Sequence, residues 1–381
     1  MIPIMIPTDD FKDMADLREA DGQRRHVELE TQDEPTRMRA VGLVAASAFL
    51  LLTAACGASS SASTTTSTVP ASTSPTSTMP SVTGSTGLSG ASMTEVLAAV
   101  QSAQTLQAIP GNLQPALTDS TDSSYPGKKY GPTHCTGTPS SISGVATGAF
   151  GDCVYGNPAA TNLVVVYGDS HAGMWAPAVQ VIANSMGWKM ELFSLPGCPA
   201  PDLSFISYQT QTQNTACDQF HTQAPAAIKA LHPAMVVVTS ESSQQVARGV
   251  YATPSQWQSG LESTFSALAQ PGTTMVMIGD IPEWSLNTAD CLAAHMSDVQ
   301  SCASQPSAAL SPNLRGEIGA SSASGVHYIA TQPFVCAANC EPVINNIRVY
   351  YNEYHFTATY VQYLKAALGA ELGITAATPG G

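Results

Sequence analysis

The sequence predicts a three-layer α/β domain built on a mostly parallel five-stranded sheet, and three observations point to it. The first is Leu163-Val164-Val165-Val166-Tyr167, an apolar run too short for a helix and rich in β-branched residues, as a strand buried on both faces would be. The second is the segment just after that run. Trp175, Val179, Ile182 and Met186 return at spacings of three or four, so the strand passes through Gly168-Asp169-Ser170 into a helix. The third is repetition: further short runs at Lys189 to Ser194, Met235 to Thr239, Thr274 to Gly279 and His327 to Thr331 are separated by helical patterns. Strands that alternate with helices pair in parallel and place their site at the strands' carboxyl ends.

Ahead of this domain the composition changes several times. Residues 1–37 hold ten acidic and five basic side chains with no sustained apolar periodicity, and read as disordered or as lying before a true start at Met38. Arg37 and Arg39 then precede an almost wholly apolar stretch from Val41 to Leu52, followed by Thr53-Ala54-Ala55-Cys56. A run this short reads as the core of a signal peptide over residues 38–55 rather than a membrane span. The small residues before the cysteine and Gly57 after it resemble a bacterial lipobox, which implies cleavage before Cys56 and lipid on its sulfur. An ordinary secretory cleavage is the alternative, and both export the chain.

Residues 56–92 are nearly all Ser, Thr, Pro, Ala and Gly, which bury too little apolar surface to offset chain entropy, so they read as a flexible tether. Val96, Leu97, Val100, Ala103 and Leu106 predict a packing helix from Met93 to Leu106, opening a lead-in segment over 93–160. The main domain is expected over 161–372, with a tail at 373–381.

The whole chain carries 28 acidic against 14 basic side chains, a formal charge of −14. An acidic surface without a basic cluster argues against nucleic acid or anionic head groups as partners. Apart from Cys56 there are eight cysteines in close sequential pairs: Cys135 and Cys153, Cys198 and Cys217, Cys291 and Cys302, Cys336 and Cys340. Eight cysteines allow 105 connectivities, and spacing alone selects none. No pair has the two-residue gap of a zinc knuckle, and export favours disulfides. No metal or organic cofactor is expected.

The turn after the first strand carries the chemistry. A hydroxyl there is exposed at the sheet edge beside unpaired helix amides that can hold an oxyanion, as a nucleophilic Ser170 requires. The same Asp169-Ser170 pair also suits a helix cap. Taken whole, VVVYGDSHAGMWAPAV resembles the first block of the SGNH (GDSL-type) hydrolases, and more closely the SGNH-like domain attached to the membrane O-acyltransferases of acyltransferase family 3. The likeness extends over about residues 95 to 370.

That resemblance implies a flavodoxin-like arrangement, local pairing of the eight cysteines, and Ser170 as nucleophile in a turn shaped by Gly168 and Asp169. Leu195-Pro196-Gly197-Cys198-Pro199 resembles the family's LP-CPP element, which implies that Gly197 and Ser170 offer backbone amides to the oxyanion. The G-x-N-D element of related enzymes is missing at Thr239 to Gln244, where Ser240, Ser242 and Gln244 are candidate donors by chemistry alone. Asp280 and Pro282 are expected to shape a loop beside the site. In the closing segment, VYYNEYHFTATY resembles the family's Y-x-D-x-x-H pattern, so His355 falls on the general base. Asn352 stands where the family has Asp, with Glu353 next to it. Among the other histidines, His171 is tied to the nucleophile's turn.

A lipase or thioesterase is the weakest reading of function, since nothing marks a long acyl pocket, and two others stand ahead of it. One is an exported, lipid-anchored serine esterase or O-acyltransferase acting on acyl esters, most simply acetyl esters, of cell-envelope polysaccharide or glycolipid. It would act alone or receive acyl groups from a separate membrane acyltransferase. The other is a module that keeps the scaffold and binds glycan or a partner without turnover, for which the missing Asp and G-x-N-D element speak.

Overall fold

The computed structural model describes residues 88–123, 153–157 and 159–373. The expected leader, the lipidation site at Cys56, most of the tether, and Cys135 lie outside the described residues. The first described helix is α1, Met93–Ala103, which Ser92 caps: its side chain accepts from the Glu95 N–H while the Glu95 carboxylate accepts from the Ser92 amide. The helix stops at Ala103, three residues short of the expected end. Its buried face is Val96, Val100 and Ala103.

Six strands form the central sheet: β1 Cys153–Gly156, β2 Leu163–Gly168, β3 Lys189–Ser194, β4 Met235–Thr239, β5 Thr274–Ile278 and β6 His327–Ile329. Their order across the sheet is β1-β3-β2-β4-β5-β6. The five expected strands are all present and parallel to one another, in the doubly wound order of a flavodoxin-like sheet. The sixth, β1, comes from the lead-in segment and runs antiparallel along the edge, pairing Cys153 with Leu192 and Tyr155 with Met190. Four residues give no readable alternation, which is why the sequence predicts only five strands.

Alternation along β2 divides the core into two layers. Val164 and Val166 face one layer with α1, α2 (Ser170–Ser185) and the C-terminal helix α6 (Ala358–Glu371). Leu163, Val165 and Tyr167 face the other, made by α3 (Thr215–Ala230), α4 (Pro254–Leu268) and α5 (Leu314–Ser324). Every residue of β2 is buried, and a fully buried Val or Leu stabilises by roughly 1.5–3 kcal/mol, so this strand anchors both layers. Its last residue, Gly168, sits at φ +153°, and a Cβ there would lie 1.9 Å from the Thr239 carbonyl oxygen. Only glycine lets β2 and β4 approach so closely at the edge where the site forms.

The lead-in segment is strapped to the C-terminal part of the chain. Arg348, 2% exposed, donates from its guanidinium to the carbonyls of Leu117 and Asp119. Asp122 accepts from the Thr359 amide and hydroxyl in the first turn of α6. Cys198–Cys217, Cys291–Cys302 and Cys336–Cys340 are disulfides, in the local pairing the resemblance implies. Among the described residues no helix is long and apolar enough to cross a membrane.

Candidate active site

Strands β2, β3, β4 and β5 end level with one another at Gly168, Ser194, Thr239 and Ile278, so the loops after them meet at one edge of the sheet. The turn out of β2 is set by Asp169, the N-cap of α2. Its carboxylate accepts from the amides of His171 and Glu241, at 2.9 Å each, and its carbonyl accepts from the Ser194 hydroxyl at 2.6 Å. These bonds fix Ser170 as the first helical residue, 8% exposed. Burial pushes the Asp169 carboxyl up to about 7, against the opposing pull of His171.

The base arrives from the far end of the chain. Strands β7 (Tyr350–Asn352) and β8 (His355–Phe356) form a hairpin whose register places Asn352 opposite His355. Phe356 anchors it, packed edge-on against Trp175 of α2. His355 Nε2 lies 3.0 Å from Ser170 Oγ, and His355 Nδ1 lies 3.1 Å from Asn352 Oδ1. The same Oδ1 accepts from the Tyr354 amide at 3.2 Å. A backbone N–H can only donate, so this bond requires the amide oxygen, not its nitrogen, to face the ring. Nδ1 is then the protonated ring nitrogen, and Nε2 is free to accept the serine proton. The neighbouring Glu353 carbonyl accepts from the Trp284 amide.

The Pro-Gly turn after β3 lies beside the nucleophile's turn. Leu195 to Cys198 close a tight turn with Gly197 at φ +72°, a conformation that favours glycine. Behind it the Cys198–Cys217 disulfide, the His221 ring 2.7 Å from the Pro199 carbonyl, and Ala200 donating to Ser240 Oγ brace the loop. Cys198, Cys217 and His221 form the one grouping of metal-type ligands among the described residues, but its two sulfurs are bonded to each other. Among the described residues neither the Ser170 nor the Gly197 amide donates to a protein acceptor. Both can therefore serve an oxyanion.

The loop after β4 supplies no second side-chain donor from its serines. Ser240 Oγ is held by the Asp169 carboxylate and the Glu241 carbonyl, and Ser242 Oγ donates to Asp280 at 2.6 Å. Gln244 is buried, and among the described residues its side-chain nitrogen has no partner. The residues that sequence reasoning left in structural roles are His171 and Asp280. His171 Nδ1 lies 3.0 Å from Asp280 Oδ1, both fully buried, in an ion-pair contact. Its Nε2 is 2.8 Å from the Tyr354 carbonyl. Glu317 lies behind Asp280 and accepts from its amide; burial first, and then the Asp280 charge, push the Glu317 carboxyl well up. The GD-x-P element marked Asp280, but nothing in the sequence pointed to Glu317.

A serine at a strand-to-helix turn, a histidine on its oxygen and an amide on the histidine thus stand together at the carboxyl edge of an α/β sheet. The family described as "SGNH domain (fused to AT3 domains)" matches residues 134–370, more than half of the chain, and the chain belongs to that family. In class it is an enzyme of acyl-ester hydrolysis or acyl transfer. No curated relative matched the chain. Among solved structures it is similar to the periplasmic domain of a Salmonella ser. Paratyphi A lipopolysaccharide acetyltransferase, at 16% identity, TM-score 0.44, covering 55% of this chain and 83% of that one. It is similar also to a carbohydrate acetylesterase family member from Sinorhizobium meliloti, at 12% identity, TM-score 0.34, covering 56% and 97%. The family assignment rests on the family match.

Proposed function

We propose that the chain is an extracytoplasmic serine esterase or O-acyltransferase that removes or transfers acyl groups, most simply acetyl, on cell-envelope polysaccharide or glycolipid. The observation that carries this reading is the continuous line Ser170 Oγ, His355 Nε2, His355 Nδ1, Asn352 Oδ1 in the tautomer catalysis requires. Ser170 Oγ attacks the acyl carbon as its proton passes to His355 Nε2, and the Ser170 and Gly197 amides hold the oxyanion. Collapse breaks the ester bond, His355 returns the proton to the leaving hydroxyl, and an acyl-serine remains. Water or an acceptor hydroxyl then gives its proton to His355 and takes the acyl group, and His355 returns that proton to the departing Ser170 Oγ. Three disulfides support an oxidising compartment, and Cys56 offers a lipid attachment facing the envelope. A separate membrane acyltransferase could donate the acyl group; the family's fusion to AT3 domains supports that pairing. Asn352 in place of Asp favours a second reading, a glycan-binding module without turnover.

The test is hydrolysis of p-nitrophenyl acetate, and acetate release from acetylated envelope polysaccharide, by the full chain and its Ser170→Ala variant. Turnover with an acetyl group on Ser170 by intact mass is expected, falling at least about 10³-fold in the variant. Neither turnover nor acylation in the wild type, with both gained by Asn352→Asp, would assign the chain to the binding reading.

A further inference from the structure

The catalytic histidine has a second histidine at its back. The His171 and His355 rings meet edge to face with centroids 5.1 Å apart. His171 belongs to the nucleophile's own helix, one residue after Ser170. Both of its nitrogens face oxygens: Asp280 Oδ1 at 3.0 Å on Nδ1 and the Tyr354 carbonyl at 2.8 Å on Nε2.

Neither oxygen can supply a proton. The Tyr354 carbonyl is an acceptor by nature. Asp280 already accepts from the Ile281 amide on Oδ1, and from the Ser242 amide and hydroxyl on Oδ2, which is the environment of an ionised carboxylate. Nε2 donates to the Tyr354 carbonyl, while Nδ1 meets Asp280 as a 3.0 Å ion-pair contact and not as an aligned hydrogen bond, the contact of an imidazolium with a carboxylate. The other acids near His171 are Asp169 and Glu241 from the adjoining turns and Glu317 from α5, and no other cation faces it among the groups acting on its charge. Burial works against the charge, but Asp280, Asp169 and Glu241 together hold the His171 ring up at about 10.

The Tyr354 carbonyl is the connection that matters. Tyr354 sits in the two-residue turn between Asn352 and His355, and its amide is the one that orients Asn352. One face of that peptide unit is therefore tied to the orienter and the next carbonyl to the helix of the nucleophile. We propose that His171, paired with Asp280, is a positioning residue: as an imidazolium it donates from Nε2 to the Tyr354 carbonyl and so keeps His355 Nε2 on Ser170 Oγ. This deepens the serine reading and rests on it. With Asn352 as orienter, the buried His171–Asp280 pair behind the hairpin supplies the rigidity.

Two measurements on the full chain separate this proposal from the serine reading. The first is long-range 1H–15N correlation of the histidine rings at pH 8, which needs no activity. One histidine with both nitrogens protonated is expected, absent in His171→Gln, together with a His355 Nδ1–H signal that is lost or exchanges faster in that variant. The second is the acylation rate with p-nitrophenyl acetate per acylatable Ser170, titrated by intact mass, in His171→Gln, Asp280→Asn and the double variant. Each single change is expected to lower that rate about 100-fold, the scale of a 1 Å misplacement, with KM within about twofold. The double variant is expected to lose no more than either single one, because the two residues act as a unit. A merely structural pair would lower the titre of acylatable sites and leave the rate per site unchanged. Unchanged per-site rates, losses that multiply in the double variant, or a wild-type spectrum with no doubly protonated histidine at pH 8 would each overturn the proposal. If the wild type does not acylate at all, the serine reading fails, and the spectra alone decide whether His171 holds the His355 ring.

Discussion

Asn352 and His355 face each other across the two-residue turn of one hairpin, with Asn352 Oδ1 3.1 Å from His355 Nδ1. The orienter and the base therefore move as one rigid unit, and the turn's own amide chooses which end of the Asn352 side chain meets the ring. An amide that presents its oxygen this way does the geometric part of an aspartate's work. What it lacks is the charge that stabilises the imidazolium.

Replacing Asn352 by Asp should therefore raise kcat/KM for p-nitrophenyl acetate, by about tenfold, or roughly 1.4 kcal/mol in the barrier. Asn352→Leu, which removes the acceptor, should lower it by at least about tenfold. Steady-state kinetics at neutral pH read both. A fall in the Asp variant would mean that the neutral amide suits this buried site better.

Gly168→Ala should be among the most damaging substitutions in the domain. A Cβ would lie 1.9 Å from the Thr239 carbonyl oxygen, which cannot move without breaking the pairing of β2 with β4. A loss of more than about 3 kcal/mol is expected, read as insolubility or a much lower Tm.

The Cys198–Cys217 disulfide closes a loop of sequence separation 19 and braces the turn that carries Gly197. Removing it with Cys198→Ala and Cys217→Ala should cost about 2–4 kcal/mol, seen as a Tm lower by roughly 5–10 °C. Acylation should fall further than stability predicts, because the Gly197 amide loses its fixed direction. Equal per-site acylation in the disulfide-free chain would remove Gly197 from the oxyanion hole.

Glu341 offers a pH test of stability. It is fully buried, with Gln300 donating to one oxygen, and burial pushes its carboxyl up to about 7. The folded state then holds this proton more tightly than the unfolded state, whose carboxyl titrates near about 4.3. Its contribution to stability is thus fully present below about pH 4 and is lost as pH rises to about 7. Glu341→Gln, which cannot ionise, should gain several degrees in Tm relative to wild type at pH 8 and little at pH 4.5. A Tm difference that does not vary with pH would mean that Glu341 stays ionised or neutral throughout.

Much of this was legible in local pattern. The apolar run before Gly168, the helical spacing after it and the repeated alternation gave all five parallel strands, because a doubly buried strand and an amphipathic helix each write their own period into the chain. The motifs singled out Ser170, Asn352 and His355, which the fold brings into contact, and Gly197, which it places in the turn after β3. The edge strand β1 was not, since four residues carry no period.

The sequence by itself determined the sheet, the turn that presents Ser170, and which histidine faces it, because each of these rests on residues close together in the chain or on a short motif. Tertiary structure alone decided that the Asn352 oxygen meets His355, that Ser240 and Ser242 are spent on carboxylates, and that His171 is clasped between Asp280 and the Tyr354 carbonyl. Those are contacts between segments far apart in sequence, and their chemistry depends on which lone pairs and protons end up buried together. No periodicity records that.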